Sequence, residues 1–494
     1  MEVKSTKLWT LVVNMDKYER TRFRKYLKSP YFNSNSRLVA LFDLIDQIRK
    51  SEAKLTKTQV WRAITEDGST YDDSKFRRLN ADLVQHLKHF FAIRTLEQCP
   101  NTLSKAFADV VLNKKMRGLF STVERDSQLA IQKSPHQNAA YHYDRFQLEA
   151  RLMDLHKETH QREAPENMGV LSDQLDQFYF TEKLRYYCEA LAWQRVTSKR
   201  FDMRFMPQIL AYVSEIETPS PALAIYYQMA LTMLESDNEV HYFELKALLQ
   251  EHSALFPKKE ARNMYAVAQN FCTSKINKGE IHYLQETFEL YQMLLDEQIL
   301  LTNNEMSPWD YKNLVVVGLR LGAFDWTFEF IESYRFHLPE RFRENAYTYN
   351  LSKYYFYRQE YEKVIELLQQ VEYQDVFYNL DSKAMLLKTY YELDEWEPMD
   401  ALIHSFKALL RRKKAISDHH RRNYLNFIRM VKKLSRSYRF TAEELDQLAN
   451  EIRASQAIAD SNWLLSKVGE LRTPNAHSSQ SLVKAKNSQQ NSLM

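Results

Sequence analysis

Apolar positions recur three or four residues apart along most of this chain, which is the period of one face of a helix. Between residues 73 and 90 the set is Phe76, Leu79, Leu83, Leu87 and Phe90, and Asp72 or Asp73 stands ready as the N-cap. Upstream, the pattern predicts a helix from about Met15 to Leu27 that stops at Ser29-Pro30, and a second over about Ser36 to Lys50. A short helix begins after an N-cap at Thr56 and ends near Ile64. Residues 101–220 read as long helices broken near Ser134-Pro135, Ala164-Pro165 and Pro219-Pro221, with no convincing repeat register.

A repeat emerges further on. Gly322–Ile331, Gln359–Leu368 and Asp394–Ile403 align, with aromatic anchors at Phe324, Tyr361 and Trp396. The anchors lie 37 and 35 residues apart (361 − 324 and 396 − 361), near the tetratricopeptide period of about 34, and that spacing is the one expected of rings in the hairpin core rather than of base-stacking platforms. Here the chain resembles the tetratricopeptide-repeat family, in which helix A ends on one aromatic and helix B opens on another. Tyr355 and Tyr390 match the first, and Phe324, Tyr361 and Trp396 the second. Pro339 falls where that family closes a repeat. The small residue of helix B is replaced by Thr327, Val364 and Met399, and the Leu-Gly pair of helix A by Leu314-Val315, Leu351-Ser352 and Leu386-Leu387. Further units are expected at Ala222–Pro257 and Lys259–Gln298. The KYLKSPYFN stretch, Lys25 to Asn33, resembles the start of uncharacterised bacterial helical proteins, and that likeness brings no activity with it.

The expected fold is therefore all-α: a right-handed α-solenoid of TPR-like hairpins with an N-terminal helical unit. The expected division is residues 1–100 for that unit, 101–220 for long helices, and 221–440 for the solenoid ending in a basic helix pair. Residues 441–472 would cap the array, and the polar tail 473–494 is expected to be disordered. Composition agrees. Seven glycines in 494 residues cannot supply the many tight turns of a sheet-rich fold. The apolar run Leu8 to Val13 is too short for a signal-peptide core, and no stretch approaches the ~18 apolar residues of a membrane span. Cys99, Cys188 and Cys272 are far apart, as suits buried thiols in a reducing, cytoplasmic setting.

Charge adds one feature. Between Lys407 and Arg439 there are twelve Lys or Arg and one acid, Asp418, a local balance of +11 in a chain of net +4. At ~100° per residue, Tyr424, Phe427, Ile428, Val431, Leu434 and Tyr438 share one arc, and the cations another. Arg411, Arg412, Lys413, Lys414, Arg421, Arg422, Arg429, Lys432, Lys433 and Arg436 form a candidate surface for an anionic partner, or else a solvated helix face. Residues 1–100 are also basic, nineteen Lys or Arg against twelve acids. A helix-turn-helix there, reading through Arg77 and Arg78, is disfavoured by a connection from Glu66 to Asp72 that is longer than the usual 3–4 residues.

Chemistry is otherwise quiet. No glycine lies in a GxGxxG or GxxxxGK loop, and no GxSxG elbow occurs. His156 and His160 share a helix face, but the acid between them, Glu158, is one place late for a zincin motif. His419-His420 is expected at the turn before the basic helix, where adjacent imidazoles diverge. No catalytic residue, cofactor or metal ligand is assigned. The expectation is a non-enzymatic scaffold or adaptor with a protein partner. A nucleic-acid- or ribosome-associated protein binding through residues 407–439 is the alternative.

Overall fold

The computed structural model describes residues 6–49, 56–65, 70–159, 167–369, 376–412, 416–437, 440–455 and 457–472. Among them the chain is all-α, with 23 α-helices and a single two-stranded sheet. Contacts divide it into two compact units: residues 1–186 with 207–212 and 216–223, and residues 187–206 and 213–215 with 224–494.

The first unit opens with a helix over the short apolar run. α1 (Lys7–Val13) buries Leu8 and Val12, and the Thr6 hydroxyl accepts from the Trp9 amide. α2 (Lys17–Lys28) starts at a capping box between Asp16 and Glu19, and α3 (Ser36–Arg49) comes next. Thr56 and Gln59 form a second capping box for α4 (Lys57–Ile64), and Asp72 caps α5 (Asp73–Glu97). Each box satisfies amides that the first turn leaves without a partner, at a gain of about 1 kcal/mol. Phe23, Phe42, Leu83 and Leu87 are fully buried at the centre, each worth roughly 1.5–3 kcal/mol. After Pro30 the chain folds back: the Asn33 amide group donates to the Leu27 carbonyl at 2.8 Å, and Phe32 stacks on Tyr26 at 4.4 Å.

α6 (Pro100–Asn113), α7 (Phe120–Gln132) and α8 (Ala139–Thr159) share a much smaller core of Ala108, Val111, Val123 and Leu155. Ion pairs Arg151–Asp109 (2.8 Å) and Lys105–Asp144 (2.6 Å) tie these helices together. α9 (Met168–Val196) and α10 (Met206–Ser214) complete the run. The breaks expected at Ser134-Pro135 and Pro219-Pro221 fall between helices, whereas Ala164-Pro165 and His160 lie outside the described residues. The sequence pattern missed the break at residues 197–205.

The second unit is a succession of helices in contact with their neighbours: α11 (Pro221–Leu234), α12 (Glu239–His252), α13 (Lys258–Asn277), α14 (Tyr283–Asp296), then α15 (Pro308–Arg320), α16 (Phe324–Tyr334), α17 (Glu340–Tyr357), α18 (Tyr361–Gln369), α19 (Val376–Glu392) and α20 (Trp396–Arg412). α21 (Asp418–Leu434), α22 (Ala442–Ala454) and α23 (Ser461–Arg472) end it. Before α15, β1 (Leu301–Thr302) and β2 (Glu305–Met306) pair antiparallel across Asn303 and Asn304, both left-handed, which is the geometry a two-residue hairpin turn requires.

The hairpins α13–α14, α15–α16, α17–α18 and α19–α20 turn in the same way. Gly279, Gly322, Gln359 and Asp394 are left-handed, with φ of 98°, 74°, 60° and 58°. The amide after each donates five residues back: Glu280 to Lys275, Ala323 to Gly318, Glu360 to Tyr355 and Glu395 to Tyr390, at 2.9–3.1 Å. This is the Schellman cap, which satisfies carbonyls left open at the end of the first helix. The second helix of the last three opens on the expected aromatic, Phe324, Tyr361 or Trp396. Those rings are not the core, however: Trp396 is 41% exposed, and Phe324 and Tyr361 are half-buried. One turn later Thr327, Val364 and Met399 are buried, because that side faces the first helix of the pair.

The cysteines divide. Cys188 and Cys272 are buried, and burial pushes their thiols up to about 12 and about 11, so neither is a nucleophile at neutral pH. Cys99 is exposed rather than buried.

Candidate binding surfaces in the C-terminal hairpins

The basic segment forms α21 as its pattern requires. Tyr424, Phe427, Ile428, Val431 and Leu434 are buried, and Met430 joins them. Tyr438 and Arg439 lie outside the described residues, as do Lys413 and Lys414. The Ser417 hydroxyl caps the helix by accepting from the His420 amide, so His419-His420 occupies the first turn of the helix rather than the turn before it.

The cations of this segment do not form one free patch. Arg421 donates to the Leu410 and Ile416 carbonyls at 2.7 and 3.2 Å, closing the connection from α20. Arg429 and Lys433 both reach Glu451 on α22, at 3.4 and 2.5 Å, and Lys432 lies 3.7 Å from Asp400 on α20. Arg411, Arg412, Arg422 and Arg436 are exposed. Three of the ten candidates thus face carboxylates that sequence distance had hidden, and the positive field is weaker than the linear count.

A second surface carries more structure. A cavity of about 710 Å³ is lined by α15, α17, Gln359 and Tyr361 at the turn into α18, α19, Tyr424 of α21, the segment 459–460 and the start of α23. Its wall repeats. Counting back from the left-handed residue of each hairpin, position ten is Lys312, Tyr349 or Ala384 and position six is Val316, Lys353 or Lys388. Position two is Arg320, Tyr357 or Glu392. Steps of four keep all nine on one face of their helices.

The cavity holds five cations, Lys312, Arg320, Lys353, Lys388 and Lys467, and three carboxylates, Asp381, Glu392 and Asp460. Three lysines are paired: Lys312 with Asp381 at 2.5 Å, Lys388 with Asp460 at 2.7 Å and Lys467 with Glu392 at 2.9 Å. The Tyr424 hydroxyl also donates to Asp381, and the Trp463 indole N–H to Glu392. Asp460 itself is left-handed, with φ of 49°, a conformation that costs energy for any residue but glycine. Burial acts to raise its carboxyl, but Lys388, with Lys353 and Lys312, holds it below the usual carboxylate range.

Lys353 has no carboxylate of its own among the described residues. It is half-buried, with its ammonium 5.8 Å from the Tyr349 ring centre. Burial, then the neighbouring charges of Lys388 and Lys312, push it down to about 8. None of this constellation was read from sequence. One signal was present: lysine at the same repeat position in two successive hairpins. The carboxylates, Trp463 and Lys467 come from 28 to 114 residues further along than Lys353 (381 − 353 and 467 − 353 bound Asp381 through Lys467), which no local pattern reports.

Among the described residues there is no cluster of His, Cys, Asp and Glu able to hold a metal, and no helix long and apolar enough to cross a membrane. No protein-family model, no curated protein and no solved structure matches the chain.

Proposed function

We propose that this protein is a non-enzymatic binding scaffold or adaptor that acts in the cytoplasm, built on a right-handed solenoid of TPR-like hairpins. One observation carries the reading. Three successive first helices present the same three positions to one open wall, and five of those nine positions hold Lys, Arg or Glu. A hairpin stack needs its buried faces for stability, but it does not need a matched polar wall. Such a wall suits recognition of a protein partner by spaced side-chain contacts, as repeat arrays do on their concave side.

The test is photo-crosslinking in the native cell from position 357, where Tyr357 is 38% exposed at the rim of the wall. The expected outcome is a small, reproducible set of protein adducts. Absence of any reproducible protein adduct sinks the reading. Nucleic-acid adducts from position 422 in their place would move the function to the basic end of the unit.

A further inference from the structure

The cavity beneath that wall has a charge imbalance and a lining that together specify a ligand. Its five cations and three carboxylates leave a balance of +2 (5 − 3). Three of the cations are already held by carboxylates, so the imbalance centres on Lys353, with Arg320 at the outer edge. A carboxylate ligand would answer half of it. A phosphomonoester carries about −1.5 to −2 at neutral pH and answers all of it. The cations are chiefly lysines, whose compact ammonium serves phosphate as a point charge, whereas planar carboxylates favour the arginine fork.

The remaining walls are rings. Tyr349, Phe356, Tyr357, Tyr361 and Trp463 line the same cavity. A volume near 710 Å³ suits a whole small molecule rather than a bare ion, within the ~300–1,000 Å³ range of ligand pockets. Helices α15, α17 and α19, with Tyr424 of α21, line it together with the turn into α23, and this turn is held to α21 by Asn426 donating to the Ala457 carbonyl at 2.7 Å. We propose that the cavity binds a small ring-bearing phosphomonoester, with its phosphoryl group seated on Lys353 between Lys312 and Lys388 and its ring against the tyrosines and Trp463.

The burden on Lys353 supports this assignment. An ammonium set among other ammonium groups, with Asp460 and Asp381 offsetting them only in part, is unfavourable in the empty protein, and a dianion would relieve it. A residue kept at the expense of stability points to use.

The experiment uses the full chain and calorimetric titration with phenyl phosphate, with benzoate as the carboxylate control and a phosphotyrosine peptide as a third arm. Phenyl phosphate is expected to bind wild type, and Lys353→Met to weaken it by about tenfold or more, the usual cost of losing a charged hydrogen bond. The same variant is expected to melt no lower than wild type, which a merely structural lysine would not allow. A second measurement needs no variant: Lys353, deprotonated more readily than ordinary lysines, should be labelled early by acetic anhydride and protected by phenyl phosphate, as read by mass spectrometry. Equal affinity in Lys353→Met, equal binding of benzoate, binding of the peptide alone, or no protection of Lys353 overturns the proposal. None of these outcomes depends on whether position 357 captures a protein partner.

Discussion

Gly318 shows how much one hydrogen atom decides in this fold. It lies on α15 against the second helix of its pair, and a Cβ placed there would stand 2.3 Å from the Thr327 hydroxyl. Thr327 cannot swing away easily: it is fully buried, β-branched, and donates to the Ala323 carbonyl at 2.7 Å. Gly318→Ala should therefore destabilise by about 1–3 kcal/mol, the range for overpacking, despite the gain in helix propensity. Urea titration of the two proteins checks this, and an equal or more stable variant contradicts the packing. The sequence offered Thr327 only as a departure from a small-residue position. That it meets a glycine nine residues earlier could be known only once the two helices were seen together.

The element scale is governed by the hairpin turns. Gly322, Gln359 and Asp394 take the same left-handed conformation in the same cap, but only the first is free of the Cβ penalty of roughly 1–2 kcal/mol. Substitutions at equivalent positions should then have opposite signs. Gly322→Ala should lose about 1 kcal/mol, and Gln359→Gly should gain up to about 1 kcal/mol, less the added entropy of the unfolded chain. Thermal unfolding of both variants reads the contrast, and loss of stability in both would show that the turns are not equivalent. The repeat was legible here because the cap is coupled to the start of the next helix: two residues after the left-handed position, that helix opens on an aromatic each time. What the pattern misjudged was the role of that ring, since Trp396 is exposed while Met399 is buried. Spacing locates a side chain on a helix face, but the neighbouring helix decides which face is inside.

Across the whole molecule, lysines hold carboxylates in their charged form. The hydrogen bonds of Lys278, Lys275, Lys246 and Lys363 lower Asp237, Glu239, Glu289 and Glu360, respectively, from their ordinary values. For such groups the unfolded chain binds protons first, so their stabilisation is complete above the ordinary value near 4.5 and is lost as pH falls through the lower folded values. Melting temperature should hold from pH 7 to about 5.5 and fall below about 4.5. Glu239→Gln, which removes the nearer of the two carboxylates on the 7%-exposed Lys275 and leaves Glu280, should melt lower than wild type at pH 7 and equal to it at pH 3. A melting temperature unchanged down to pH 3 would refute this. Lys353 acts in the opposite sense, its burden lifting as pH climbs past about 8. The sequence by itself determined the local matters. Helical character, the capped helix starts at Thr56 and Asp72, the buried face of α21 and the hairpin period all stem from contacts within a few residues or from a side-chain rhythm. Only the tertiary structure decided which charges matter. It spent Arg421 on backbone carbonyls, set Glu451 against Arg429 and Lys433, and gathered Lys312, Lys353, Lys388 and Asp460 around one cavity. The physical reason is range: hydrophobic period is written along the chain, whereas an electrostatic environment is set by distance in space, and packing brings together residues that the sequence holds far apart.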